Sequence, residues 1–197
     1  MILSSLGIVL LAIPMAVVAI IIKLDSAGPV FFKQRRVGIH KKEFNIIKFR
    51  SMPQTAPHDT PTHKLKDAAS MLSKWQKFMR SASIDELPQI YNIFIGQMSI
   101  IGPRPALWNQ YDLITERDKY GANDVKPGLT GWAQINGRDE LPIDVKAKFD
   151  GEYVEKMGFV FDCKCFFGTI MSVIRHDGVV EGGTGEMKKN EKELENK

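Results

Sequence analysis

SIDELPQIYNIFIGQMSIIGPRP, Ser83 to Pro105, decides how this chain is read. Two adjacent carboxylates, Asp85 and Glu86, precede an apolar run with helical spacing. The run ends in Gly102-Pro103-Arg104-Pro105. No helix tolerates that ending, because each proline removes an N–H and fixes its own φ. The stretch predicts a helix from about Asp85 to Ile95 and then a rigid arginine loop. The helix start has two readings. Ser83 as N-cap, with Glu86 reaching back, makes a capping box. Asp85 as N-cap puts Pro88 in the first turn, where proline is easiest, and this is the preferred reading. Both place the carboxylates at the positive end of a helix dipole, which favours the ionised form. Acids in a first turn usually only cap, so the pair gains a chemical reading from its company.

That company is cationic. Arg80 lies just upstream, Arg104 is held between prolines, Arg138 closes a second glycine-rich loop, and Lys48 and Arg50 end a strand-like segment. Arginine forks match phosphate oxygens two at a time, and glycines let backbone N–H groups approach a ligand. Carboxylates, cations and tight loops together point to phosphoryl chemistry with a divalent cation, Mg²⁺. A carboxylate attacking phosphorus gives an acyl phosphate. Neither GxxxxGK[ST] nor GxGxxG is present, so a standard nucleotide fold is not indicated.

The chain has 197 residues, a net charge of +4 and 44% apolar residues. That suits one compact domain with appendages. Much of the apolar content lies in MILSSLGIVLLAIPMAVVAIII, residues 1–22, which carries no charged side chain. About 20 apolar residues span a bilayer as a helix, but Pro14 sits in the middle and is expected to kink or break it. There is no basic lead and no clear small-residue cleavage site, so a removable signal peptide is not expected. The basic flank from Lys23 to Arg50 places that end on the cytoplasmic side. From the residues alone, a plain spanning anchor and a re-entrant hairpin with both ends cytoplasmic stand level. Ser4 and Ser5 are candidates to satisfy backbone groups freed at a break.

Residues 28–50 read as short strands around Gly38, and residues 53–63 as a proline- and threonine-rich loop containing His58 and His63. Helices are expected over 64–80, 106–120, 141–157 and 159–175. Val125 to Glu140 is too glycine-rich for a regular element, and the charged end is expected to be mobile. Cys163 and Cys165, two residues apart, make a poor disulfide and half a metal site at most, so they are read as reduced and packed. The basic residues are scattered and no stacking or groove-reading module appears, so nucleic acid is not an expected partner.

LDSAGPVFFKQRRVG, KFRSM, RSASIDELPQIYNIFIGQMSIIGPRP and KPGLTGWAQINGRD, all between Leu24 and Asp139, closely resemble segments of the bacterial sugar transferases. These are small monotopic phosphoglycosyl transferases, and weaker similarity continues to about Val180. The resemblance implies transfer of sugar 1-phosphate from a UDP-sugar to polyprenyl (undecaprenyl) phosphate, releasing UMP. It implies Asp85 as nucleophile, Glu86 as its partner, a covalent phosphosugar intermediate, and Mg²⁺ at Asp85 and Glu86. Lys48, Arg80, Arg104 and Arg138 are the implied phosphate and nucleotide ligands, with Asp162 near a late acidic position. The implied fold is α/β, mostly helical. A re-entrant N-terminal helix (1–22) breaks at Pro14, and a catalytic domain (23–180) on the cytoplasmic face of the inner membrane carries interfacial helices and a small β-hairpin around a loop-built site. A charged tail (181–197) follows. Where the family has Ser-Pro at the break, this chain has Ile13-Pro14. Expected partners are the UDP-sugar donor, the polyprenyl phosphate acceptor, membrane lipid, a second copy in a homodimer, and downstream glycosyltransferases. The sugar is expected to be read by side chains from 53–63 or 176–186.

Overall fold

The computed structural model describes residues 2–56, 71–137 and 141–175. Mixed α/β structure is present as expected. Helix α1 spans Ile2–Asp25, 24 residues, with Pro14 inside it. The helical backbone is unbroken at Pro14, so the expected break does not appear there. At 1.5 Å per residue the helix is about 36 Å long, against a hydrocarbon core of about 30 Å. It is long and apolar enough to cross a membrane by length and composition. Most of its surface is uncovered: Ile13 is 78% and Leu24 82% exposed. Its last turns join the core, where Val18 and Ile22 pack with Phe49 and Met79, and its first turns also meet the domain, with Ser4 1% exposed and Gly7 against Ile90.

Strands β1 (Phe31–Val37) and β2 (Glu43–Phe49) form the expected antiparallel hairpin, with Phe31 opposite Phe49 and Val37 opposite Glu43. Because side chains alternate across a strand, Phe32, Gln34 and Arg36 share a face with Ile46 and Lys48. Helix α2 is Lys74–Ser81. Its start is set by a capping box, Ser73 with Gln76, so of the helix expected over 64–80 the described part begins at Lys74. Residues 57–70, including His58 and His63, lie outside the described residues.

The opening stretch folds differently from its expected single helix. Ser83 takes a left-handed φ of 55°, which an N-cap does not, and makes no side-chain cap bond. Residues 84–86 form a 3₁₀ turn, and α3 starts only at Gln89 and runs to Phe94, with Pro88 at its cap. Gly96, at φ 83°, ends it. The glycine-rich segment from Val125 also differs. Strand β3 (Ser99–Ile101) pairs in parallel with β4 (Gly128–Thr130), and α5 (Trp132–Ile135) follows directly. Glycine is needed at 102 because a Cβ there would lie 2.6 Å from the Lys126 carbonyl oxygen. The run is glycine-rich because backbones meet closely, not because it lacks regular structure.

Helix α4 (Tyr111–Asp118) is shorter than the expected 106–120, since residues 106–107 are drawn to β1 by the Val37–Ala106 hydrogen bond and the Arg36–Leu107 bridge. Helices α6 (Ile143–Lys156) and α7 (Phe159–Arg175) match expectation. α7 lays Cys165 and Thr169 on the β3–β4 side, with Thr169 Oγ1 2.6 Å from Thr130 Oγ1. Its other face exposes Phe159, Val160, Phe167 and Met171.

Both cysteines are free, as read from their spacing. Burial pushes the Cys165 thiol up to about 11. Its thiolate, the reactive form, is therefore scarce at neutral pH. Iodoacetamide at pH 8 is expected to spare Cys165 in the folded protein and to modify it after denaturation, as read by peptide mass. Labelling of Cys165 at equal rates in both states would contradict this packing.

Candidate active site

The 3₁₀ turn at 84–86 sits between β2, α2 and α3. Asn92 of α3 holds that arrangement. Its side-chain amide donates to Asn45 O at 2.9 Å, and its Oδ1 accepts from Ile47 N at 3.0 Å. The free edge of β2 is thereby covered by α3, and Lys48 is brought against the acid pair. Lys48 Nζ donates to Glu86 Oε1 at 2.7 Å. Arg104 adds a fork, with Nη2 2.5 Å from Glu86 Oε1 and Nη1 3.2 Å from Oε2. Its loop is pinned from two sides. Gly102 N and Gly128 N donate across the β3–β4 junction to Thr130 O and Pro103 O, and Arg36 Nη1 donates to Pro105 O.

The two carboxylates have opposite fates. Both are buried, Asp85 at 6% and Glu86 at 8% exposure. Burial would raise Glu86, but Arg104 and Lys48 outweigh it and hold its carboxyl well below the ordinary range. At Asp85 burial wins and raises the carboxyl; Lys48 and Arg80 pull it back, the charge of Glu86 pushes it further up, and one hydrogen bond from Ser51 Oγ to Oδ2, 3.1 Å, favours the charged form. Desolvation also lowers Lys48. Glu86 is thus a locked counter-ion. Asp85 is a buried carboxylate held among cations without being consumed by one, the condition a nucleophile needs.

Asp85 opens into a cavity of about 390 Å³. Arg36, Lys48 and Arg80 bring positive charge to it, with Gln34 and Ser51 as polar neighbours. That volume lies in the range of small-ligand sites, ~300–1,000 Å³. The structure therefore brings together Asp85, Glu86, Lys48, Arg80 and Arg104. Asp162 is engaged elsewhere, accepting from the Tyr153 hydroxyl at 2.9 Å within the α7 packing. Arg138 lies outside the described residues, as do 57–63 and 176–186.

Arg50 has a different role from Lys48. Its guanidinium donates to the carbonyls of Ser26 at 2.7 Å, Ile22 at 3.4 Å, and Ala27. It thus caps the C-terminus of α1, where a cation is favoured, and fixes the apolar helix to the site. Gln34, Arg36 and Ser51 were not singled out from the sequence. The alternation in FFKQRRV, read against Lys48 on the paired strand, was the available signal for the first two.

A family model for bacterial sugar transferases matches residues 1–176. The chain belongs to the bacterial sugar transferase family. It is 40% identical over 159 residues to the uncharacterized sugar transferase EpsL of Bacillus subtilis (strain 168), covering 81% of this chain and 77% of that protein. It is 36% identical over 167 residues to a UDP-glucose:undecaprenyl-phosphate glucose-1-phosphate transferase of Xanthomonas campestris pv. campestris, covering 81% of this chain and 34% of the relative. It is 35% identical over 166 residues to a UDP-N-acetylgalactosamine-undecaprenyl-phosphate N-acetylgalactosaminephosphotransferase of Aeromonas hydrophila, covering 81% and 39%. The chain thus spans little more than a third of the length of these two relatives with named substrates. Members of this family are transferases, and the two named relatives differ in sugar.

Proposed function

We propose that this chain transfers sugar 1-phosphate from a UDP-sugar to undecaprenyl phosphate and releases UMP. The observation that carries the reading is the division of labour in the acid pair: Glu86 neutralised by Lys48 and Arg104, and Asp85 open to a cation-lined cavity. The relatives' printed names support the donor and acceptor classes. In the first step Asp85 Oδ attacks the sugar-bearing phosphorus. The new O–P bond forms as the bridging P–O bond breaks, and UMP leaves with the electron pair. Arg36, Lys48 and Arg80 offset the charge that gathers on the leaving phosphate. In the second step an acceptor phosphate oxygen attacks the same phosphorus, and the Asp85 carboxylate departs.

Mg²⁺ fits this site through Asp85. Among the described residues no group of three or more His, Cys, Asp or Glu side chains converges to hold a metal. Mg²⁺, however, commonly takes one or two carboxylates together with substrate phosphates. Glu86 would join Asp85 as a ligand only by giving up a contact to Lys48 or Arg104. When bound, the ion would neutralise diphosphate charge.

The exposed apolar faces of α1 and α7 support association with the bacterial inner membrane, with the basic flank of α1 on the cytoplasmic face. α1 is read as monotopic rather than spanning because the catalytic domain meets it along its length, at Ser4 and Gly7 near one end and at Val18 and Ile22 near the other, where Arg50 ties it down. Homodimer formation and hand-over to downstream glycosyltransferases belong to the same reading.

The test is nucleotide release by detergent-purified protein given undecaprenyl phosphate, Mg²⁺ and a panel of UDP-sugars. Lipid-dependent UMP from one sugar is the expected result. UDP in its place would make the protein a lipid-acceptor glycosyltransferase. No nucleotide from any sugar would favour a non-catalytic membrane adaptor.

A further inference from the structure

A second cavity, of about 210 Å³, lies on the other side of the acid pair. The donor cavity is lined by Asp85 and not Glu86, and the second by Glu86 and Arg104 and not Asp85. The acid pair is therefore the partition between two chambers. The second chamber has a different chemistry. Its walls are apolar side chains of α1, α3, β4, α5 and α7, and they include Leu11, Phe166 and Ile170. Phe166 and Ile170 are also partly exposed, so the chamber is continuous with the uncovered apolar surface of α7. Cations and a carboxylate at one end, and hydrocarbon walls leading to an apolar exterior at the other, complement an amphiphile with an anionic head.

One polar side chain in that wall is buried without a hydrogen-bond partner. Gln134 is 6% exposed and lines the chamber, yet neither Nε2 nor Oε1 has a hydrogen-bond partner. A buried amide left unpaired is unfavourable, because its hydrogen bonds to water are lost and not replaced. Such orphans in a native structure call for an explanation, a ligand contact among them. An amide N–H suits a phosphate oxygen.

We propose that this chamber seats the phosphate-proximal isoprene units of the polyprenyl phosphate acceptor, with Gln134 as the positioning residue for its phosphate. The inference rests on the phosphoglycosyl transferase reading. An apolar cavity of about 150 Å³ accepts a benzene-sized guest, so this one has room for roughly one to two five-carbon units. The remaining tail leaves along α1 and α7. The head then passes the Glu86–Arg104 end of the partition to the face that the departed UMP has left, and attacks in line with the Asp85 Oδ–P bond. A new bond from acceptor oxygen to phosphorus forms as the Asp85 Oδ–P bond breaks, and the carboxylate leaves with the electron pair.

The test separates the two half-reactions. Exchange of labelled UMP into UDP-sugar needs the donor cavity only, whereas net transfer needs both chambers. Gln134→Leu removes the amide, and Ile170→Trp fills the chamber from its partly exposed rim, which keeps the test alive if the buried substitution fails to fold. Each is expected to raise KM for undecaprenyl phosphate about tenfold, the scale of one hydrogen bond to a charged group. Exchange rate and donor KM are expected to change by less than about twofold. Exchange with an unaltered acceptor KM in both variants overturns the acceptor seat alone, as does a loss of exchange equal to the loss of transfer. A wild-type protein that shows no exchange overturns the transferase reading and the acceptor seat with it.

Discussion

Asp85→Asn is expected to lower lipid-dependent UMP release by about 10⁴-fold or more, the scale on which removing a reacting group acts. The substitution keeps the size of the side chain and a carbonyl oxygen for the Ser51 hydroxyl, 3.1 Å away in the wild type. It costs little stability, because burial already penalises the charged form of Asp85. Glu86→Gln behaves in the opposite way. It strips the counter-ion from Lys48 and Arg104, which then lie partly buried without it. Breaking such a cluster costs on the order of 3 kcal/mol, so thermal stability falls together with activity. The pair of variants, compared by nucleotide release and by thermal unfolding in detergent, separates a reacting carboxylate from a structural one. Full activity in Asp85→Asn would remove Asp85 from the nucleophile role.

Arg117→Leu is expected to have the largest effect on stability. Arg117 in α4 and Asp150 in α6 have side chains 4% and 1% exposed, with Nε and Nη2 donating to Asp150 Oδ2 at 2.8 and 2.6 Å. Removing one partner leaves a buried uncompensated charge, a loss of about 3–5 kcal/mol. For a chain of this size that is a fall in Tm of roughly 6–20 °C. Replacing both partners, Arg117→Met with Asp150→Leu, is expected to recover most of the loss, since matched apolar pairs often replace a buried ion pair without cost. The folded fraction should retain its turnover at low temperature, because this pair joins two helices and lines neither cavity. A double variant no more stable than the single one would show that the helices need the ion pair for more than charge balance.

Local chemistry was legible in the residues themselves. β-forming residues in VFFKQ and EFNIIKF, punctuated by Gly38, marked two short strands, and these pair as the hairpin. The apolar run of residues 1–22 marked α1, and the spacing around Phe159–Arg175 marked α7. The acid pair and the cations Lys48, Arg80 and Arg104 stood out through charge beside proline and glycine, and they do converge. What misled the local reading was backbone geometry. Ser83 and, preferred, Asp85 were the expected caps, but Ser83 has a left-handed φ, Asp85 lies inside a 3₁₀ turn, and the helix starts only after Pro88. The glycines after Val125 looked like a loop, but they are the small residues that let β4 approach Gly102.

The sequence by itself determined which residue types were available for phosphate chemistry and which segments were apolar. Only the tertiary structure decided their allegiance. Glu86, not Asp85, is captured by Lys48 and Arg104, because Asn92 sets the register of α3 on β2 and the β3–β4 junction fixes the arginine loop. Arg50 turns to the end of α1, and Arg117 to Asp150 where α4 packs on α6. Periodicity reports which face of its own element a side chain occupies. Its partner across dozens of residues is chosen by packing, where a buried charge settles on the nearest opposite charge or carbonyl that offsets its desolvation.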